Sequence, residues 1–78
     1  MKTYISIRVT HYSDHNIQPE ASYYRSDGIH DPVFEKLTVD EANRLMWELI
    51  GLGGENSYTS NIYDNAISTR SVVFFDDF

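Results

Sequence analysis

The chain contains no cysteine. That removes disulfides, zinc–thiolate sites and thiol catalysis, and it is compatible with an intracellular compartment. Cations are scarce, with 6 Lys and Arg against 12 Asp and Glu and a formal net charge of −6. Nucleic acid and anionic lipid both demand a cationic footprint, so direct nucleic-acid binding is not expected and a basic-surfaced protein is the favoured partner. Net negative charge also serves simply to keep a small protein soluble. No apolar run approaches the roughly 18 residues of a membrane span. The first segment, MKTYISIRVTHYS, alternates polar and apolar residues and lacks the continuous apolar stretch of a signal peptide. A cytoplasmic protein that does not enter membranes is the expectation.

Glycine and proline are few, at 4 and 2. Gly51, Gly53 and Gly54 follow a helical pattern instead of opening one, so no phosphate-cradling turn is predicted. No serine sits in a glycine-bounded elbow. Ser13, Asp14 and His15 have the residue types of a catalytic triad, but adjacency along a chain does not make side chains converge. A domain of 78 residues also has little room for a deep pocket. A non-enzymatic protein without catalytic residues or cofactor is expected.

The stretch Thr38–Gly54, TVDEANRLMWELIGLGG, carries a strong helical signature. Thr38 and Glu41 match a capping box, in which the hydroxyl accepts the Glu41 N–H and the carboxylate reaches back to the Thr38 N–H. Asp40 and Glu41 place negative charge in the first turn, where unpaired N–H groups favour it. At 100° per residue, Val39, Ala42, Leu45, Met46, Leu49, Ile50 and Leu52 share one face, opposite Asp40, Arg44 and Glu48. One wide apolar stripe predicts a helix lying on a sheet. Trp47 falls at the polar flank, either covering the rim of the core or anchoring a partner.

Lys2 to Tyr12 reads as a strand with Ile5, Ile7 and Val9 on a dry face and Tyr4, Ser6, Arg8 and Thr10 on a wet one. Ala21 to Arg25 is a short second strand in which Tyr23 and Tyr24 must face opposite ways. Asp27-Gly28 and Asp31-Pro32 are turn signals, and Val33, Phe34 and Leu37 are expected to tuck under the helix start. Ser57 to Tyr63 and Ala66 to Phe75 form a predicted hairpin about Asp64-Asn65. Val72 to Phe75 is apolar on both faces, as in a doubly covered central strand or an interface. The expected fold is a single α+β domain over residues 1–78. It is β-β-α-β-β, one amphipathic helix packed on one face of a four-stranded, mainly antiparallel sheet.

Two loops carry metal-ligand chemistry, His11, Asp14 and His15 in one and His30 and Asp31 in the other. The His11-x-x-x-His15 spacing runs off a strand end, without the helix that would aim both rings at one ion, so no metal is assigned. The aromatic inventory is richer, at 6 Tyr, 4 Phe and 1 Trp. Tyr4 shares the wet face with Arg8, and Tyr23 or Tyr24 and Tyr58 or Tyr63 extend it from neighbouring strands. Such a face suits protein recognition, or stacking of single-stranded nucleic acid if its charge allows. Residues 40–78 hold 2 basic and 7 acidic side chains, so the second half carries most of the negative charge. The segment VVFFDDF adds Asp76, Asp77 and Phe78 as a docking end. The candidate partner-binding set is Tyr4, Arg8, Trp47, Tyr58, Tyr63, Asp76, Asp77 and Phe78. It belongs to a small regulator or inhibitor of a basic-surfaced protein, acting in one version as a nucleic-acid mimic. A weak nucleic-acid or ligand binder and a structural homo-oligomer, such as an edge-paired homodimer, stay open as alternatives.

Overall fold

The computed structural model describes residues 2–14, 16–61 and 67–77, with the side chains of Lys2, Asn61 and Asp77 left aside. Five strands and one helix follow in the order β1 (Lys2–His11), β2 (Glu20–Ser26), β3 (Val33–Leu37), α1 (Val39–Gly51), β4 (Glu55–Asn61) and β5 (Ile67–Asp77). The sheet order is β3-β2-β1-β5-β4 with every pairing antiparallel. The helix therefore carries the chain from one edge of the sheet to the other, across β2, β1 and β5. The fold is α+β with one helix on an antiparallel sheet, but the sheet has five strands where four were expected.

The extra strand is β3. Val33 and Phe34 do not tuck beneath the helix; they are 45% and 65% exposed, while Leu37 packs against the core. The reason is the turn before them. Gly28 takes a φ of +78° and the Asp27 carboxylate caps the loop, so the chain doubles back beside β2 and gains a ladder.

The helix begins as its capping box requires. The Glu41 N–H donates to Thr38 Oγ1 at 3.1 Å, and the Thr38 N–H donates to Glu41 Oε1 at 3.3 Å. It ends in a Schellman motif, with Gly54 N–H donating to the Leu49 carbonyl at 2.7 Å and Gly53 N–H to that of Ile50 at 3.1 Å. Gly53, at φ +102°, supplies the left-handed residue that this closure needs.

Ala42, Met46 and Leu49 from the helix meet Ile7, Val9, Ala21 and Val72 from the sheet, and these seven form the buried apolar core. Ile5, Tyr23, Leu37, Val39, Leu45, Ile50 and Phe74 surround it. Leu52, expected on the same stripe, is 68% exposed. It is the C-cap, where the chain has left the helical path that a 100° projection assumes.

Candidate functional site: two exposed aromatic surfaces

Strand alternation sorts every side chain of the sheet to one of two faces, and register fixes which residues become neighbours. The helix covers the face of Ile7, Tyr23 and Val72. The opposite face carries Tyr4, Ser6, Arg8 and Thr10 from β1, Ser22 and Tyr24 from β2, Phe34 and Lys36 from β3, Thr69, Ser71, Val73 and Phe75 from β5, and Glu55, Ser57 and Thr59 from β4.

An aromatic row crosses this open face. Phe34 stands opposite Tyr24. Tyr24 meets Tyr4 edge to face at a centroid distance of 5.9 Å, and Tyr4 meets Phe75 at 5.2 Å. Both separations lie in the favourable range for aromatic pairs. Tyr4 and Tyr24 are half-buried within the row, whereas Phe34 and Phe75 at its ends are 65% and 62% exposed. Between them Tyr4, Ser6, Arg8, Ser22, Tyr24 and Phe34 line a shallow depression of about 260 Å³. Its neighbour, about 300 Å³, brings in Lys36 and Glu20 beside Arg8. Val72 to Phe75 does lie in a central strand, but only Val72 and Phe74 have a cover. Val73 and Phe75 point to the bare side.

A second surface lies on the helix side. Arg70 projects from β5 and its guanidinium sits 5.8 Å from the centre of the Trp47 ring, while its Nε donates to Asn56 Oδ1 at 3.3 Å. Tyr58 stands directly opposite Arg70 across β4 and β5. Trp47 is 65% exposed and Tyr58 is 68% exposed. Trp47 is thus neither rim cover alone nor isolated; a cation holds its face.

The candidate residues therefore divide. Tyr4 and Arg8 lie on the open face; Trp47 and Tyr58 lie together on the helix side. Placing Tyr58 with Tyr4 fails because pairing with Arg70, a non-local fact, sets the parity of β4. Likewise Tyr24 joins the open face and Tyr23 the core. Asp76 faces the helix side opposite Thr3, and Asp77 pairs Lys2 through the backbone. Tyr63 and Phe78 lie outside the described residues, as do His15 and the Asp64-Asn65 turn. Phe34, Lys36, Phe75 and Arg70 were absent from the candidate set. Nothing in VFEKL marks the first two, because apolar Val33-Phe34 and charged Glu35-Lys36 run in pairs and do not alternate.

Charge is also sorted. Among described side chains the open face holds Arg8 and Lys36 against Glu20 and Glu55, a balance of 2 and 2, and the remainder of the molecule holds 3 basic and 8 acidic groups. Glu20 accepts a hydrogen bond from the Tyr12 hydroxyl at 3.3 Å. That contact, together with partial desolvation as the larger cause, raises the Tyr12 pKa.

The two histidine loops do not converge. His11 ends β1 beside the start of β2, while His30 follows the end of β2, which pairs with Tyr4. A strand seven or so residues long at about 3.3 Å per residue keeps them roughly 20 Å apart. Among the described residues no three His, Asp or Glu side chains are grouped to hold a metal ion. The His30 ring instead bonds Asp27 through Nδ1. Asp27 Oδ1 also accepts the N–H groups of Ile29 at 2.8 Å and His30 at 2.7 Å, so this carboxylate latches its own loop.

Those hydrogen bonds hold the Asp27 carboxyl far below its usual range, the His30 side chain being the largest cause. A carboxyl lowered by folding adds stability that is complete above its unfolded pKa, about 3.9, and is lost as pH falls through the folded value. The Asp27 carboxylate is therefore expected to stay ionised from neutrality to about pH 4, and its share of the latch to be lost only as pH falls through the lowered folded value. NMR titration of the Asp27 carboxyl carbon checks this; a midpoint at the ordinary aspartate value would refute it.

No helix among the described residues is long and apolar enough to cross a membrane. Comparison with protein-family models, with curated proteins and with solved structures finds no match to this chain.

Proposed function

We propose that this protein is a non-enzymatic interaction module, a small regulator or inhibitor that meets a basic-surfaced protein with the helix side of its sheet. The observation that carries the reading is the exposed Trp47–Arg70–Tyr58 cluster, set on the helix side, where the described side chains of α1 and of the helix-facing strand positions number 5 acidic and 3 basic. Trp, Tyr and Arg are the residue types that dominate binding energy at protein interfaces. Arg70 over the indole adds about 0.5–1 kcal/mol and holds the ring in place before a partner arrives. The net negative charge of the chain steers a cationic partner and disfavours an acidic one. In the narrower version the acidic groups of the helix, Asp40, Glu41 and Glu48, stand in for phosphates and occupy a nucleic-acid enzyme's groove.

Capture from the native host, comparing the unaltered chain with a Trp47→Ala/Tyr58→Ala variant, tests the reading. Loss of one hot-spot aromatic costs about 2 kcal/mol or more, so retention of the partner should fall at least about thirtyfold. Retention should also weaken with added salt. A partner held equally by both forms, at low and high salt alike, would rule this surface out. Displacement of the partner by competing DNA is the further mark of the phosphate-mimic version.

The open face supports a second reading as a single-strand binder, because its row of Tyr and Phe lies beside Arg8 and Lys36. Glu20 and Glu55 cancel those two cations, which weakens it relative to the first.

A further inference from the structure

The helix-side cluster leaves the open sheet face without an occupant. The structure assigns that face to a second copy of this chain: we infer a homodimer in which two sheets pack face to face, with both helices outward. This goes beyond the helix-side reading and uses none of its residues, and it competes with the single-strand reading for the open face.

The first ground is electrostatic. Each chain carries a formal charge of −6, so two copies repel across most of their surfaces. The open face is the exception, since its described charges balance. They are also arranged for self-pairing. Lys36 lies on the edge strand β3 and Glu55 on the opposite edge strand β4, with β1 between them as the middle strand. A two-fold axis running along β1 between two facing sheets lays each β3 over the partner's β4. By the strand registers Lys36 of one copy then lies over Ser57 of the other, one same-face step from Glu55 and within reach of a long side chain, twice by symmetry, as an isologous interface requires.

The second ground is apolar. Phe34, Tyr24, Tyr4 and Phe75 cross four adjacent strands, with Val73 beside them, and the two phenylalanines at the ends stand mostly in water. Facing sheets pack about 10 Å apart with interdigitated side chains, a spacing that such a row fills.

Sedimentation of the full chain over a wide concentration range tests this. Unaltered protein should sediment as a dimer that dissociates on dilution. Phe34→Ser/Phe75→Ser should weaken self-association about a hundredfold. Both side chains lie outside the buried core, so an unchanged circular dichroism spectrum separates this effect from misfolding. Lys36→Glu should weaken the dimer, and Lys36→Glu combined with Glu55→Lys should restore it. That rescue is what an edge-paired dimer would not show. A chain that stays monomeric throughout, or a dimer indifferent to both phenylalanines and to the charge swap, would overturn the assignment. So would a monomer that retains labelled single-stranded RNA through Phe34 and Phe75, because the face would then be a stacking platform.

Discussion

Replacing Met46 by alanine should lower the unfolding free energy by about 3 kcal/mol, within the range of about 2–5 found for large apolar side chains cut back in a core. Met46 is fully buried, as are its core partners Ile7 and Val72. A domain of this length has only about 4–12 kcal/mol in total, at roughly 0.05–0.15 kcal/mol per residue. The buried core among the described residues is only seven side chains, and those packed around it are themselves partly exposed, so little surrounding mass can close over the cavity. The denaturant midpoint of the variant should therefore shift by a large fraction of its value, with the slope unchanged. A loss below about 1 kcal/mol would mean that the helix is not clamped to the sheet at this point. Leu52→Ala makes a useful contrast. That leucine is as apolar but 68% exposed, so its removal should change stability by no more than about 0.5 kcal/mol.

Gly54→Ala should cost about 1–3 kcal/mol, the usual penalty for adding an atom where none fits. A Cβ built on Gly54 would stand 2.8 Å from the Leu49 carbonyl oxygen, 3.1 Å from the Leu49 carbonyl carbon and 3.1 Å from Val72 Cγ1. Two of these neighbours are backbone atoms that end the helix, and the third belongs to the buried core. None can swing aside as the tip of a long side chain would. The Gly54 N–H also donates to that same Leu49 carbonyl, so relief of the clash lengthens the bond that closes the helix. Gly51→Ala is the matching control. It lies inside the helix, and a Cβ added there would have nothing within 4 Å, so alanine should be neutral or stabilise by up to about 1 kcal/mol. Equal effects at both glycines would show that backbone freedom, not the close approach to Leu49, explains Gly54.

What could be read in the sequence was what is written locally. The capping box joins residues three apart, and the alternation of β1 is complete within one strand, so both are found as expected. The helix stripe is right through Ile50 and fails at Leu52, where the periodicity was carried past the end of the helix. Misplacements arise wherever pairing decides. β3 is five residues long and its apolar and charged residues run in pairs, so no alternation stands out between a turn and a helix. Tyr58 lies on the helix side because β4 pairs with β5 in one register and not its neighbour, and a slip of one residue exchanges faces. The open-face aromatics come from β1, β2, β3 and β5, and only the strand order makes them a row. His11 and His30 belong to loops whose convergence could not be judged from the sequence, and pairing of β1 with β2 sets them at opposite ends of β2.

The overpass formed by α1 has a consequence for how the molecule assembles. β4 is synthesised before β5 yet touches the sheet only through it, and the middle strand β1 must wait for the last strand to fill its second side. Ile7 and Val72, partners across that late seam, are separated by most of the chain. Closing so distant a pairing is slow, because the loop entropy is lost before the contact forms. Until β5 is in place β1 stays half-paired, and during that interval an unpaired strand of a neighbouring molecule competes for the same edge.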